Sequence, residues 1–187
     1  MRLSGFLPLN RFYSIAQLCH RYGVPTWKCG NVNSETFLNK INTMDLDLII
    51  SVAAPQIFKD QLIGVPRRGC INIHNSKLPK YRGMMPNFWQ MFHGEKAVGI
   101  TVHRINLGID DGEILLQKEV PIQEQETLDS LIRRTKILGA HLMIEVVRLM
   151  KCDRLQPLPN PSSSSSYYSF PSPQDVKEFR QKGFRLI

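Results

Sequence analysis

The sequence predicts an α/β fold with a mainly parallel sheet, and three observations carry that expectation. The run Asp47 to Ala53 is short, continuous and rich in β-branched residues, the pattern of a parallel strand buried on both faces. A second run, Gly69 to His74, follows after about fifteen residues, enough for the crossover of a βαβ unit. After Thr127, an N-cap residue, a long helix is marked by Leu128, Leu131, Ile132, Leu138, Leu142, Met143, Val146 and Val147, a stripe suited to packing on the sheet.

The remaining elements follow in order. Phe12, Ile15, Ala16, Leu18 and Cys19 recur at helical spacing, and Gly23-Val24-Pro25 ends that helix. Ser34 caps a second helix to Asn42, with Phe37, Leu38 and Ile41 on one face. Pro86 to Gly94 has proline in its first turn and glycine after its last. Val98 to Ile105 and Glu113 to Val120 read as strands around the turn-rich segment Asn106 to Gly112. From Gln156 proline and serine dominate and predict an extended or mobile linker, residues 156–174, between a catalytic domain at 1–155 and a short basic helix or tail at 175–187.

The chain has 187 residues, 42% of them hydrophobic, enough for one core without staples. Its net charge of +8 favours anionic partners without choosing among them. Four cysteines, Cys19, Cys29, Cys70 and Cys152, lack the paired spacing of a disulfide framework or a zinc site. The apolar runs fall short of a membrane span, and MRLSGFLPLN, interrupted by Pro8, is a poor signal peptide, so a cytoplasmic location is expected.

Asn72 and His74 are two apart on a strand and project to one face, at the carboxyl end where open α/β sheets place ligands. The pair alone is weak, since both residues also satisfy loop backbone groups. The wider strings are more specific. INIHNSKLPKYRG followed by GIDDGEILLQKEVPI, with VGITVHRI before the acidic turn and LIISVAAPQIF upstream, resembles the folate-dependent formyltransferases over residues 45–122.

The resemblance implies a Rossmann-like formyltransferase domain, N-terminally shortened, because this chain opens at the helix that usually follows a first strand, helix and strand. It implies an Asn, His and Asp catalytic set, here Asn72, His74 and Asp110, acting on 10-formyltetrahydrofolate as formyl donor without a metal. A tetrahedral intermediate needs donors where its oxyanion develops, which an Asn amide and an imidazole supply, while a carboxylate favours the charged imidazole. Asp111 is the rival for the acid role. The folate slot implied by motif position has Gln56, Ile57 and Phe58 on one side and Leu107, Gly108 and Ile109 on the other; the apolar members suit core packing equally well.

The acceptor implied is the primary amine of a small molecule, such as an amino sugar on a nucleotide. tRNA is possible but not favoured, because tRNA-formylating relatives carry an added β-barrel domain and only 37 residues follow Met150. Hydrolysis of the donor and a non-catalytic folate-binding module stay open. No membrane partner is expected, and a homodimer is possible, with Tyr167, Tyr168, Phe170, Phe179 and Phe184 folding the tail over the body or a second subunit. His20, His93, His103 and His141 read as packing or surface residues. Phe88, Trp89, Met91 and Phe92 read as a packed helix, and Lys77, Lys80 and Arg82 as solvated loop charges.

Overall fold

A computed structural model describes residues 14–187; the opening decapeptide and the Phe12 start of the first helix lie outside them. The described residues divide into two units, 14–31 and 32–187. In the first, α1 (Ile15–Arg21) starts where the Ser14 hydroxyl accepts the Gln17 N–H, the role expected of an N-cap serine.

The second unit contains α2 (Glu35–Asn42), β1 (Ile49–Val52), α3 (Asp60–Ile63), β2 (Cys70–His74), β3 (Arg82–Gly83), α4 (Pro86–Phe92), β4 (Ala97–Arg104), β5 (Ile114–Pro121), α5 (Leu128–Lys151), β6 (Tyr167–Tyr168) and α6 (Pro173–Gln181). Ser34 caps α2 by accepting from Phe37, and Thr127 with Ser130 forms a reciprocal capping box at α5. Among the described residues the main sheet has the order β1-β2-β4-β5. The α/β class agrees with expectation, but within this sheet parallel pairing is confined to β1 and β2. β2 with β4 and β4 with β5 are antiparallel. Nine residues join β4 to β5, fewer than a parallel crossover requires.

Helix α5 covers one face of this sheet. Leu131, Thr135, Gly139, Leu142 and Val146 form its buried stripe, and at Gly139 the helix approaches Ile73 and Ile100 so closely that an added Cβ would overlap the Ile73 side chain. Each fully buried Leu or Val here contributes about 1.5–3 kcal/mol. Phe88 and Met91 of α4 complete the core, as a packed helix should. A smaller cluster joins Leu38 and Ile41 of α2 to Leu62 of α3, with Phe58 packed against it. β1 is not buried on both faces: Ile50 is 44% and Val52 67% exposed, because they lie in register with Ile71 and Ile73 on the α5 side of the sheet while α5 packs mainly over β4 and β5.

The tail folds back over the body through Tyr168 and Phe179, as its aromatic residues suggest, but its linker and boundaries depart from expectation. The boundaries expected at 155 and 174 do not separate units, and residues 156–187 belong to the same compact unit as the sheet. β6 pairs in parallel with β3, Trp89 Nε1 donates to the Ser169 carbonyl, and Phe179 is fully buried, stacked on Phe88 at 4.6 Å. Serine and proline composition implies mobility only where no surface is offered; here a free strand edge and an aromatic cleft are both offered.

Candidate active site

The face of the sheet opposite α5 carries the polar side chains. Asn72 pairs with His103 and His74 with Thr101 across β2 and β4, so all four project from one face, while Ile71 and Ile73 project to the α5 side. The site is therefore built on a sheet face, and two loops lie over it. The first, residues 75–81, is pinned by polar groups: Thr101 Oγ1 donates to the Ser76 carbonyl at 2.6 Å, and Gln90 Nε2 donates to the Asn75 carbonyl at 2.8 Å. Gly99 lies directly beneath it, where a Cβ would overlap the Lys77 backbone. The second, between β4 and β5, brings in the acidic turn.

The structure brings Asn72, His74 and Asp110 together around a fourth residue, His103. Asp110 Oδ2 is 3.5 Å from His74 Nδ1, and Asp110 Oδ1 is 3.4 Å from His103 Nε2. Asn72 Nδ2 is 3.3 Å from His103 Nε2. The backbone N–H of Gly83 donates to Asp110 Oδ2 at 2.9 Å. His74 Nε2 is 2.8 Å from the Tyr81 carbonyl and His103 Nδ1 is 2.8 Å from the Arg104 carbonyl. A carbonyl only accepts, so these contacts put protons on His74 Nε2 and His103 Nδ1 and turn the other ring nitrogens towards the carboxylate. His103 Nε2 can accept from Asn72 when the ring is neutral or donate to Asp110 when it is charged.

Backbone conformation aims these groups. Tyr81 takes φ 61°, Gly83 φ 92° and Asp110 φ 48°, all left-handed, and each presents an atom to the cluster. A non-glycine residue in this region costs free energy and persists where its surroundings over-determine it. At Tyr81 those surroundings are a hydrogen bond from its hydroxyl to Glu95 Oε1 at 2.8 Å and stacking on Tyr168 at 5.4 Å.

Burial sets the protonation states. It lowers His74 below the usual histidine value, against upward pulls from the Asp110 charge and the Tyr81 carbonyl, so the ring rests neutral near pH 7. Burial also pushes Asp110 upward, but hydrogen bonding with His103, the charge of His74 and the Gly83 N–H outweigh it and hold the carboxyl at about 2. A fixed anion thus lies beside a neutral, basic imidazole. Asp111 has other partners: it pairs with Arg82 and accepts from Ser162 Oγ at 2.8 Å, which together hold its carboxyl low.

Around the slot, Gln56 Oε1 accepts from Val32 N at 2.9 Å, Asn33 Nδ2 donates to the Ile57 carbonyl, and Phe58 packs on the small core. Ile57, Leu107 and Ile109 are 65%, 65% and 43% exposed, and Gly108 is also exposed. β1 ends with Val52 beside Ile73, so the 53–58 segment leaves the sheet next to His74, and Asp110 carries the 107–109 segment to the same residue. A separate cavity of about 590 Å³ between Arg68, Arg104 and Met150 lies away from this cluster, with its arginines already bonded to Asp153, Glu113 and backbone carbonyls.

Sequence alone reads His103 as packing, but it is a member of the cluster, and its signal is the two-residue spacing that puts it on the face of Thr101, opposite Asn72. Sequence alone reads Arg82 as a solvated charge, but it is only 7% exposed, because Asp111, Asn160 and Ser162 surround it. No local pattern marked Asn160.

The site is thus a buried acid–base cluster on an α/β sheet, with no covalent nucleophile among its members. The chain belongs to the formyl transferase family, whose model matches residues 9–147. It is 32% identical over 155 residues to a methionyl-tRNA formyltransferase of Trichormus variabilis, covering 82% of this chain and 46% of that protein. To the corresponding enzyme of Syntrophus aciditrophicus it is 37% identical over 146 residues, covering 78% and 47%. The chain spans about half the length of these curated relatives. Among solved structures it is similar to the formyltransferase PseJ from Anoxybacillus kamchatkensis, in complex with UDP-4,6-dideoxy-4-formamido-L-AltNAc and tetrahydrofolate, with a TM-score of 0.70, 25% identity and coverage of 90% and 86%. It is also similar to a sugar N-formyltransferase from Shewanella sp., with a TM-score of 0.69, 27% identity and coverage of 88% and 69%.

Proposed function

We propose that this chain transfers a formyl group from 10-formyltetrahydrofolate to the primary amine of a small molecule, an amino sugar on a nucleotide being the favoured class. The observation that carries this reading is the meeting of Asn72, His74 and His103 at one ionised carboxylate, Asp110. The exposed apolar side chains of Ile57, Leu107 and Ile109, on segments that converge at His74, suit the flat face of a reduced pterin. The folate and nucleotide-sugar product bound by PseJ support the same reading.

The chemistry follows from the protonation states. The acceptor amine attacks the formyl carbon, and the electron pair of the carbonyl moves to its oxygen. Asn72 has two amide hydrogens; with one directed at His103, the second is available to the oxyanion. His74 Nδ1, unprotonated in the resting site, takes the proton of the attacking amine, and Asp110 stabilises the imidazolium that results. Collapse of the intermediate re-forms the carbonyl and breaks the bond to the folate nitrogen, which receives the proton from His74. Reduced folate and free thiols both fit a cytoplasmic location.

Formylation of methionyl-tRNA is the second reading, favoured by the names of the most similar curated relatives and the +8 charge. The test is turnover of 10-formyltetrahydrofolate by the purified chain with nucleotide-linked amino sugars, with charged initiator tRNA and with no acceptor. Tetrahydrofolate released only with the sugars supports the first reading, and release only with tRNA replaces it by the second. Formate produced without any acceptor makes the chain a hydrolase. Folate binding without turnover of any of these makes it a binding module.

A further inference from the structure

The tail segment from Asn160 to Tyr168 touches both loops that aim the acid–base cluster. Asn160 Nδ2 donates to the carbonyls of Asp110 and Gly112, each at 2.9 Å, bracketing the left-handed backbone of the acidic turn. The other end of the same amide, Asn160 Oδ1, accepts from Arg82 at 3.0 Å, and the Asn160 carbonyl accepts from it at 3.1 Å. Arg82 also pairs with Asp111, whose Oδ1 accepts from Ser162. Further along, Ser166 accepts through Oγ from Tyr81 N at 2.9 Å and through its carbonyl from Arg82 N at 2.8 Å. The Tyr168 carbonyl accepts from Met84 N at 2.8 Å. Tyr81 supplies the carbonyl that orients His74 and Gly83 the N–H that orients Asp110.

We propose that Asn160 is a positioning residue for Asp110, and that the 160–168 segment is a strap holding the acidic turn and the Tyr81–Gly83 strand at the separation acid–base chemistry needs. The inference rests on the proposed formyl transfer for its kinetic consequence but not for its geometric one. A side chain bonded to two carbonyls of one turn restrains both peptide planes, and with them the direction of the Asp110 carboxylate. Without that restraint a left-handed aspartate relaxes towards commoner backbone angles and its carboxylate leaves the imidazoles. The tail itself stays docked, because Phe179 and the Trp89 to Ser169 bond anchor it independently.

The test compares Asn160→Ala with the unaltered chain and with Gln174→Ala, a control on the exposed face of α6. Two readouts are used. Titration of the His74 and His103 rings by heteronuclear magnetic resonance needs no substrate. The groups facing His74 are Asp110, His103 and the Tyr81 carbonyl, and Asp110 is the one anion among them. Asn160→Ala is expected to lower the His74 pKa by about half a unit or more as that anion withdraws. Steady-state kinetics should give kcat about 10–100-fold lower with KM for the folate changed less than about threefold, a split that loosened packing alone does not produce. Where Asn160→Ala does not fold, Asn160→Leu keeps the approximate size, loses both donors without adding charge and is read in the same way. Unchanged ring titrations together with unchanged kcat overturn the inference. A chain that turns over no acceptor while Asn160→Ala still shifts the His74 titration overturns the proposed function and leaves the strap standing.

Discussion

Replacing Asp110 with asparagine keeps the shape of the side chain and removes its charge, and asparagine tolerates the left-handed backbone at this position better than most residues. The chemical consequence follows from one distance. With Asp110 Oδ2 at 3.5 Å from His74 Nδ1, a carboxylate stabilises an imidazolium by about 5 kcal/mol at an effective dielectric constant of about 20. The amide dipole and water recover part of that in the variant, so the net loss in the transition state is about 3–4 kcal/mol, or roughly 10²–10³ in kcat. Stability changes as well. A carboxyl held at about 2 against an ordinary 3.8 contributes roughly 2 kcal/mol at neutral pH. That contribution is complete above pH 3.8 and is lost as the pH falls towards 2, because the unfolded chain binds the proton first. The assay is tetrahydrofolate release at saturating donor and acceptor, with urea unfolding on the same samples and Asp111→Asn as companion. Asp111 bonds to Arg82 and Ser162, so its variant should lose stability and keep most of its turnover. Asp110→Asn with full kcat, or Asp111→Asn with the larger kinetic loss, would refute the assignment of the acid.

Gly99→Ala should cost about 1–3 kcal/mol in urea or thermal unfolding and also slow turnover, because the new methyl displaces the Lys77 backbone and with it the loop following His74; a variant of native stability would show that loop to be free to move. His74 is held below 6.5 by burial, so on acidification the unfolded chain takes up this proton before the folded one does. Stability should therefore decline as the pH falls through about 6.5, and the decline should be shallower in His74→Asn; equal slopes would assign it to other groups. Cys70 is 1% exposed and burial pushes its thiol up to about 11, whereas Cys152 is exposed. A thiol reagent at neutral pH should label Cys152 in the native chain and Cys70 only on unfolding, as peptide mass mapping will report.

Much of the molecule was legible in local pattern. Ser34 and Thr127 cap their helices as their hydroxyls and the apolar spacing behind them indicate. Asn72 and His74 share a face because strand periodicity is two, and the family resemblance carried by two separated motifs implied that an acidic turn joins them. What local pattern does not contain is the direction of the neighbouring strand. β4 returns antiparallel to β2, which sets His103 beside Asn72 and makes a nominal packing histidine part of the cluster. Likewise the serine-rich composition of residues 161–166 signals no structure by itself, since it holds no apolar group to bury. Its order comes from the Tyr81–Met84 backbone and the Arg82 guanidinium, on the far side of the sequence.

The division has a physical basis. Periodicity, capping and the chemistry of side chains two apart on a strand are properties of neighbouring residues, and they determined the α/β class, most element positions and the shared face of Asn72 and His74, whereas Asp110 was implied by the family resemblance of two longer motifs. Proton location, the choice between two adjacent aspartates and the ordering of the tail depend on burial and on contacts between residues that can lie 90 or more positions apart. Only tertiary structure decides those, because desolvation and Coulomb energy depend on distance in space and not on distance along the chain.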